Sequence, residues 1–202
     1  MLPVLAWTSS TLRWDMNSKN RWTFGIALGL ILTSLALNGK TLERVDDALQ
    51  RLFPGAKTER LTAYLSKEEQ ESAGKLLGEP LNQSLVTYYR VTTTDGEMAY
   101  AYLDAHRVRT LPETLLISVD SSGALKSVDV LVFREPEDYI PRKVWYDQFR
   151  NRKFSKDLRL HRDIHGISGA TLTGRATVNS SRKVLCIHQV LMERTNVAEA
   201  PK

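Results

Sequence analysis

Ser168-Gly169-Ala170-Thr171-Leu172-Thr173 is where the chain gathers groups that could do chemistry. Ser168 and Thr171 place two hydroxyls around a glycine and an alanine, and Gly169 lets backbone or ligand come close because it has no Cβ. A helical pattern starts near Thr173, so unpaired N–H groups and the positive end of a helix dipole would lie beside those hydroxyls. These residue types in this order make a turn able to hold an anion such as a phosphate. An ordinary Ser/Thr cap on a helix start has the same spacing. Spacing alone leaves both readings open.

Other constellations fail on chemistry. Asp163, His165 and Ser168 are the residue types of a hydrolase triad, but groups so close in the chain rarely make its sequential hydrogen bonds. Cys186 and His188 have no further partners, and a zinc site needs three or four ligands. Gly166 and Gly169 fall short of a dinucleotide fingerprint, which needs Gly-x-Gly-x-x-Gly after a strand. Cys186 is the single cysteine, so no disulfide can form within the chain.

The elements that must position the motif follow from periodicity. Residues 42–53 have apolar positions at helical spacing and stop at Pro54-Gly55. Ser66-Lys-Glu-Glu69 has the form of a capping box and opens a second helix to about Leu77, ended by Gly78 and Pro80. Residues 85–93 and 98–105 are β-rich around the turn Asp95-Gly96, and residues 114–120 and 125–134 flank Ser121-Ser-Gly123. Two hairpins imply an antiparallel sheet with helices packed on one face, an α+β fold. Tyr88, Tyr89, Tyr100 and Tyr102 alternate as core and edge residues of such a sheet. Pro141 can start a helix through Trp145 and Phe149. Val178, Ser181, Leu185, His188 and Met192 mark a final helix to about Glu193, and residues 196–202 form a tail.

With 202 residues, 42% hydrophobic and 25% charged, the chain suits one core-bearing domain plus an appendage. Its net charge of +5 does not by itself point to nucleic acid. Residues 142–162 hold eight Lys/Arg against Asp147 and Asp157. That is either a solvated basic face or a surface for phosphate, anionic lipid heads or an acidic redox partner. Residues 22–37 are uncharged, with Lys19 and Arg21 before them and the acids Glu43, Asp46 and Asp47 after. This pattern predicts a membrane anchor with the N-terminus in the cytoplasm. Sixteen residues are short of the ~20 of a spanning helix, and Ser34-Leu35-Ala36 suits a cleavage site, so a cleaved signal is the alternative. Met16 opens a normal positive segment and is a candidate start. The expected division is a targeting segment at 1–40, a helical lead-in at 41–82, a ligand-binding domain at 83–195 and the tail.

Ser168-Gly-Ala-Thr-Leu-Thr173 resembles the flavinylation motif of the FMN-binding domain family. That family includes the FMN-carrying subunits of the Rnf complex and of the sodium-pumping NADH:quinone oxidoreductase, with small membrane-anchored relatives. The resemblance spans residues 85–190 and includes Phe133-Arg-Glu135, Trp145 with Gln148-Phe149, and Leu158-Arg-Leu-His-Arg-Asp-Ile164. It implies FMN bound covalently through a phosphoester on Thr171, with Ser168, Gly169 and Ala170 shaping the approach and Leu172 and Thr173 at the phosphate end. Glu135 would stand near the flavin, although the glycine of the family's Glu-Thr-Pro-Gly segment is absent here. It further implies an electron-carrier subunit rather than a standalone enzyme, with a separate flavin transferase and protein redox partners. The domain would lie on the periplasmic side of the inner membrane. The family usually has an acid three residues before the serine. Here that residue is His165, and the nearest acid is Asp163. A flavin-free module, or one binding FMN without a covalent link, is therefore the competing expectation.

Overall fold

The computed structural model describes residues 40–199, with side chains through Thr195. Its elements are β1 (Lys40–Thr41), α1 (Val45–Leu52), β2 (Lys57–Tyr64), α2 (Lys67–Leu77), β3 (Leu85–Thr92), β4 (Met98–Arg107), β5 (Pro112–Asp120), β6 (Leu125–Phe133), α3 (Lys143–Tyr146) and α4 (Thr171–Glu199). Short 3-10 turns occupy Glu137–Tyr139 and Asp147–Phe149. The six strands form one antiparallel sheet in the order β1-β6-β5-β4-β3-β2. The α+β class and both predicted hairpins are present. The targeting run at residues 22–37 lies outside the described residues. Among the described residues no helix is long and apolar enough to cross a membrane.

Helices cover both faces of the sheet, not the single face expected. Tyr102, Leu115, Ile117 and Val119 pack under α2, α3 and α4, with Trp145, Val178, Leu185 and Leu191. Val91, Ala99, Ala101, Leu116 and Leu131 point the other way and pack against Ala48, Leu49 and Phe53 of α1 and its end. The physical reason is visible in β4 and β5. Both parities of these strands are apolar, so both faces must be taken out of water. The lead-in at 41–82 likewise holds more than helices. Its residues 57–64 form β2, paired along all of β3 through Leu61↔Tyr88 and Ala63↔Val86. Lys57-Thr-Glu-Arg-Leu-Thr-Ala-Tyr64 is mostly exposed and polar, as an edge strand tolerates, so it lacks the hydrophobic alternation that marks a strand.

Local signals placed the helices well. Ser66 Oγ accepts from Glu69 N–H at 3.2 Å while Glu69 accepts from Ser66 N–H at 2.8 Å, which completes the capping box of α2. Gly78 ends α2 at φ 85°, the left-handed conformation that glycine adopts without cost. The helix expected from Pro141 through Phe149 is split into α3 and a 3-10 turn. α4 spans 29 residues, about 43 Å at 1.5 Å per residue, and runs across β4 and β5 beside α2.

One end of the sheet organises the site. His106, Glu113, Phe133 and Lys40 follow one another across four strands. The turn at 108–111 and the segment after β6 leave from this same end.

Candidate functional site

Thr171 is the first residue of α4, and its hydroxyl is exposed. Its Oγ1 donates to the carbonyl of Ile167 at 3.0 Å, and a hydroxyl that donates keeps its lone pairs as acceptors. Ala170 stands just before the helix, and its carbonyl accepts from Gly174 N–H at 2.9 Å. Alanine cannot cap the first-turn N–H groups, and among the described residues no side chain accepts from those of Thr171, Leu172 or Thr173. The simple capping role open from sequence is therefore not what these residues do. Gly169 turns the chain into the helix at φ 82° with open space beside it. Ser168 is exposed, Ala170 is buried, and Leu172 is 45% exposed for an apolar side chain. Thr173 is 1% exposed, and its Oγ1 has no hydrogen-bond partner among the described residues.

A hollow of about 170 Å³ opens at this helix start. Its walls are residues 169–173 on one side and Val108, Arg109 and Tyr139 on the other. Arg109 lies over the Tyr139 ring, 5.7 Å from its centre, so the cation and the aromatic face are held as a unit. Glu135 does not line this hollow. One of its oxygens accepts from the backbone N–H groups of Thr110 and Leu111 at 2.8 Å and of Arg109 at 3.3 Å. Those N–H groups hold the carboxyl below its usual range. Glu135 thus positions the turn that carries Arg109. Behind the motif, Trp145 Nε1 donates to the His165 carbonyl at 2.8 Å, and the Trp145 ring lies against Gly174, where a Cβ would come within 3.3 Å. Gln148 Oε1 accepts from His165 N–H at 2.8 Å. His165 is therefore tethered by its backbone while its side chain is exposed.

A second polar cluster sits beside this hollow, and sequence reading missed it. His106 lies between two carboxylates, with Nδ1 3.1 Å from Asp104 and Nε2 3.0 Å from Glu113. The Ser180 hydroxyl and the Lys183 ammonium, both from α4, also meet Asp104. Burial alone would lower the His106 pKa, but Asp104 and Glu113 outweigh it and raise it to about 9. Burial would raise Asp104, but His106, Lys183 and Ser180 hold it down at about 2. Burial pushes Glu113 up. A serine, a histidine and a carboxylate are in hydrogen-bond contact here, yet this is no hydrolase triad. A histidine held protonated between two acids cannot act as the base. Asp104 and His106, two apart on the buried face of β4, were the only signal of it; Glu113, Ser180 and Lys183 come from other elements.

The rejected constellations stay apart. Asp163 accepts from the Ser155 hydroxyl at 3.1 Å rather than meeting His165. His188 Nδ1 pairs with the Tyr102 hydroxyl at 2.8 Å, and burial raises the Cys186 thiol to about 11. Among the described residues no group of His, Cys, Asp and Glu is arranged to hold a metal ion. No family model, curated protein or solved structure matches this chain.

Proposed function

We propose that this protein is an electron carrier bearing FMN covalently on Thr171. The observation that carries this reading is the uncapped start of α4. It opens onto a hollow that also holds the Thr171 hydroxyl and Arg109. Unpaired helix N–H groups and a guanidinium are the donors a phosphate needs, and both favour negative charge at that point. The buried, unpartnered Thr173 hydroxyl adds a further donor beneath the same hollow. At about 170 Å³ the hollow is smaller than the ~300 Å³ of an ordinary ligand pocket. It suits the phosphate end of FMN, with the ring system outside, and a covalent link removes the need for an enclosing cavity. The flavin would supply the redox chemistry, while this chain supplies position and charge.

In this reading Ser168, Gly169 and Ala170 leave the Thr171 oxygen accessible to a flavin transferase. Exposed Leu172 offers apolar contact at the mouth. The domain would sit outside the cytoplasm, behind the N-terminal segment as anchor or cleaved signal, and exchange electrons with protein partners. His165 sustains the second reading, a flavin-free or non-covalent module. Its exposed side chain occupies the family's acidic position, so a transferase that reads an acid there would meet a histidine instead.

Intact mass after co-expression with a flavin transferase is the test. Wild type should gain FMN minus water and show in-gel fluorescence that survives denaturation, and Thr171→Ala should lose both. Fluorescence that persists in Thr171→Ala would overturn the site. An empty wild type filled by His165→Asp would favour the flavin-free module.

A further inference from the structure

We propose that the exposed side of α4 beyond Thr171 is a second site, built to take a phosphate-bearing small molecule. Two hollows of about 450 and 350 Å³ meet along α4 and share Arg175, Asn179 and Glu79. Arg159 and Arg182 line the larger, and Arg107 lines the smaller. Arg175 and Asn179 are four residues apart on one helix and so stand on the same face.

The arginines here differ from Lys183 of the smaller hollow, whose ammonium meets Asp104. Among the described residues none of Arg107, Arg159, Arg175 and Arg182 forms a salt bridge. Arg107 donates to the Thr110 carbonyl at 3.0 Å and Arg159 to the Lys156 carbonyl at 3.1 Å, and both keep further N–H groups free. Arg182 is 4% exposed and gives its hydrogen bonds to the carbonyls of Leu77, Ser155 and Leu158. Burial, and then the nearby Arg159, hold the Arg182 guanidinium below its usual range. Among the described residues Glu79 is the one acid lining either hollow. Such crowding of cations is relieved by a bound anion, and the planar guanidinium matches phosphate oxygens two at a time. Each hollow is within the range of ordinary ligand pockets, ~300–1,000 Å³. Their concavity favours a small molecule over the flat surface of an acidic protein.

This site does not depend on flavin at Thr171, so the test uses a chain that cannot carry it. The full chain with Thr171→Ala would be titrated with inorganic pyrophosphate at fixed ionic strength, following the arginine Nε–H signals by NMR. We expect saturable binding, at least tenfold weaker in Arg175→Gln and unchanged in Arg90→Gln, whose residue pairs with Glu59 on the sheet edge. A parallel titration with dihexanoyl phosphatidylglycerol separates the sources of phosphate. Tighter pyrophosphate binding assigns a soluble ligand, and tighter binding of the short-chain lipid assigns a headgroup. No saturable response to either, or equal binding by Arg175→Gln, would overturn the proposal. Binding of poly-glutamate alone would also overturn it and point to an acidic protein surface. None of these outcomes bears on the Thr171 mass measurement.

Discussion

At Thr173 a buried hydroxyl without a hydrogen-bond partner among the described residues works against the stability of the unmodified chain. Burying a hydroxyl with no hydrogen-bond partner costs about 1–3 kcal/mol, and valine has nearly the same shape without that cost. Thr173→Val should therefore raise the unfolding free energy of the unmodified protein by about 1 kcal/mol. If the hydroxyl serves a phosphate on Thr171, the same variant should lower flavin occupancy under limiting transferase. A more stable protein that is harder to load is the expected pair of results, read by urea denaturation and by intact mass. A destabilised Thr173→Val would mean that the hydroxyl has a partner in the folded chain.

At the scale of elements, the β4–β5 turn is set by a residue outside it. Glu135 follows β6, and its carboxylate gathers the N–H groups of Arg109, Thr110 and Leu111. Hydrogen bonds to a charged acceptor are worth about 1.5–3 kcal/mol, so Glu135→Ala should destabilise the protein by roughly 2 kcal/mol. Glu135→Gln keeps a carbonyl acceptor and should lose less, as urea denaturation of both variants would measure. The carboxyl is held below its usual range, so this stabilisation is present at neutral pH and fades only as pH falls through the folded-state value. Equal losses in the two variants would show that the charge, not the acceptor geometry, sets the turn.

This turn also shows what was legible in the sequence and what was not. Capping boxes, glycine stops and turn residues act within a few positions, so α2, the 93–97 turn and the hairpin at Ser121-Ser-Gly123 could be read directly. The motif residues were legible because 168–173 are contiguous. Arg109 and Tyr139 complete the hollow from 29 or more residues away, and only the packing of β4, β5 and β6 brings them there. β2 escaped for a different reason. An edge strand exposed on most positions has no period to read, and its pairing with β3 is supplied by backbone hydrogen bonds.

Across the whole molecule, two histidines pull stability in opposite directions with pH. His106, held between Asp104 and Glu113 with Lys183 on the far side of Asp104, is raised from 6.5 to about 9. A raised base contributes stability that is complete below 6.5 and is lost as pH rises through about 9. His188 is packed between Tyr100 and Tyr102, with Asp120 the charged group acting on it, and burial lowers it from 6.5 to about 4. The unfolded chain then takes up a proton that the folded chain refuses, so stability falls between 6.5 and about 4. Asp104 adds a further loss only below its unfolded value of 3.8. Each histidine is worth on the order of 2–3 kcal/mol across its window. The unfolding free energy should therefore peak near pH 6.5 and decline on both sides, as urea denaturation across the pH range would show. His106→Gln should flatten the alkaline limb and lower stability at neutral pH by about 3 kcal/mol, because two carboxylates lose the cation between them. His188→Gln should flatten the acid limb down to about pH 4 and leave the alkaline one intact. An alkaline limb that persists in His106→Gln would remove the Asp104–His106–Glu113 cluster as its cause.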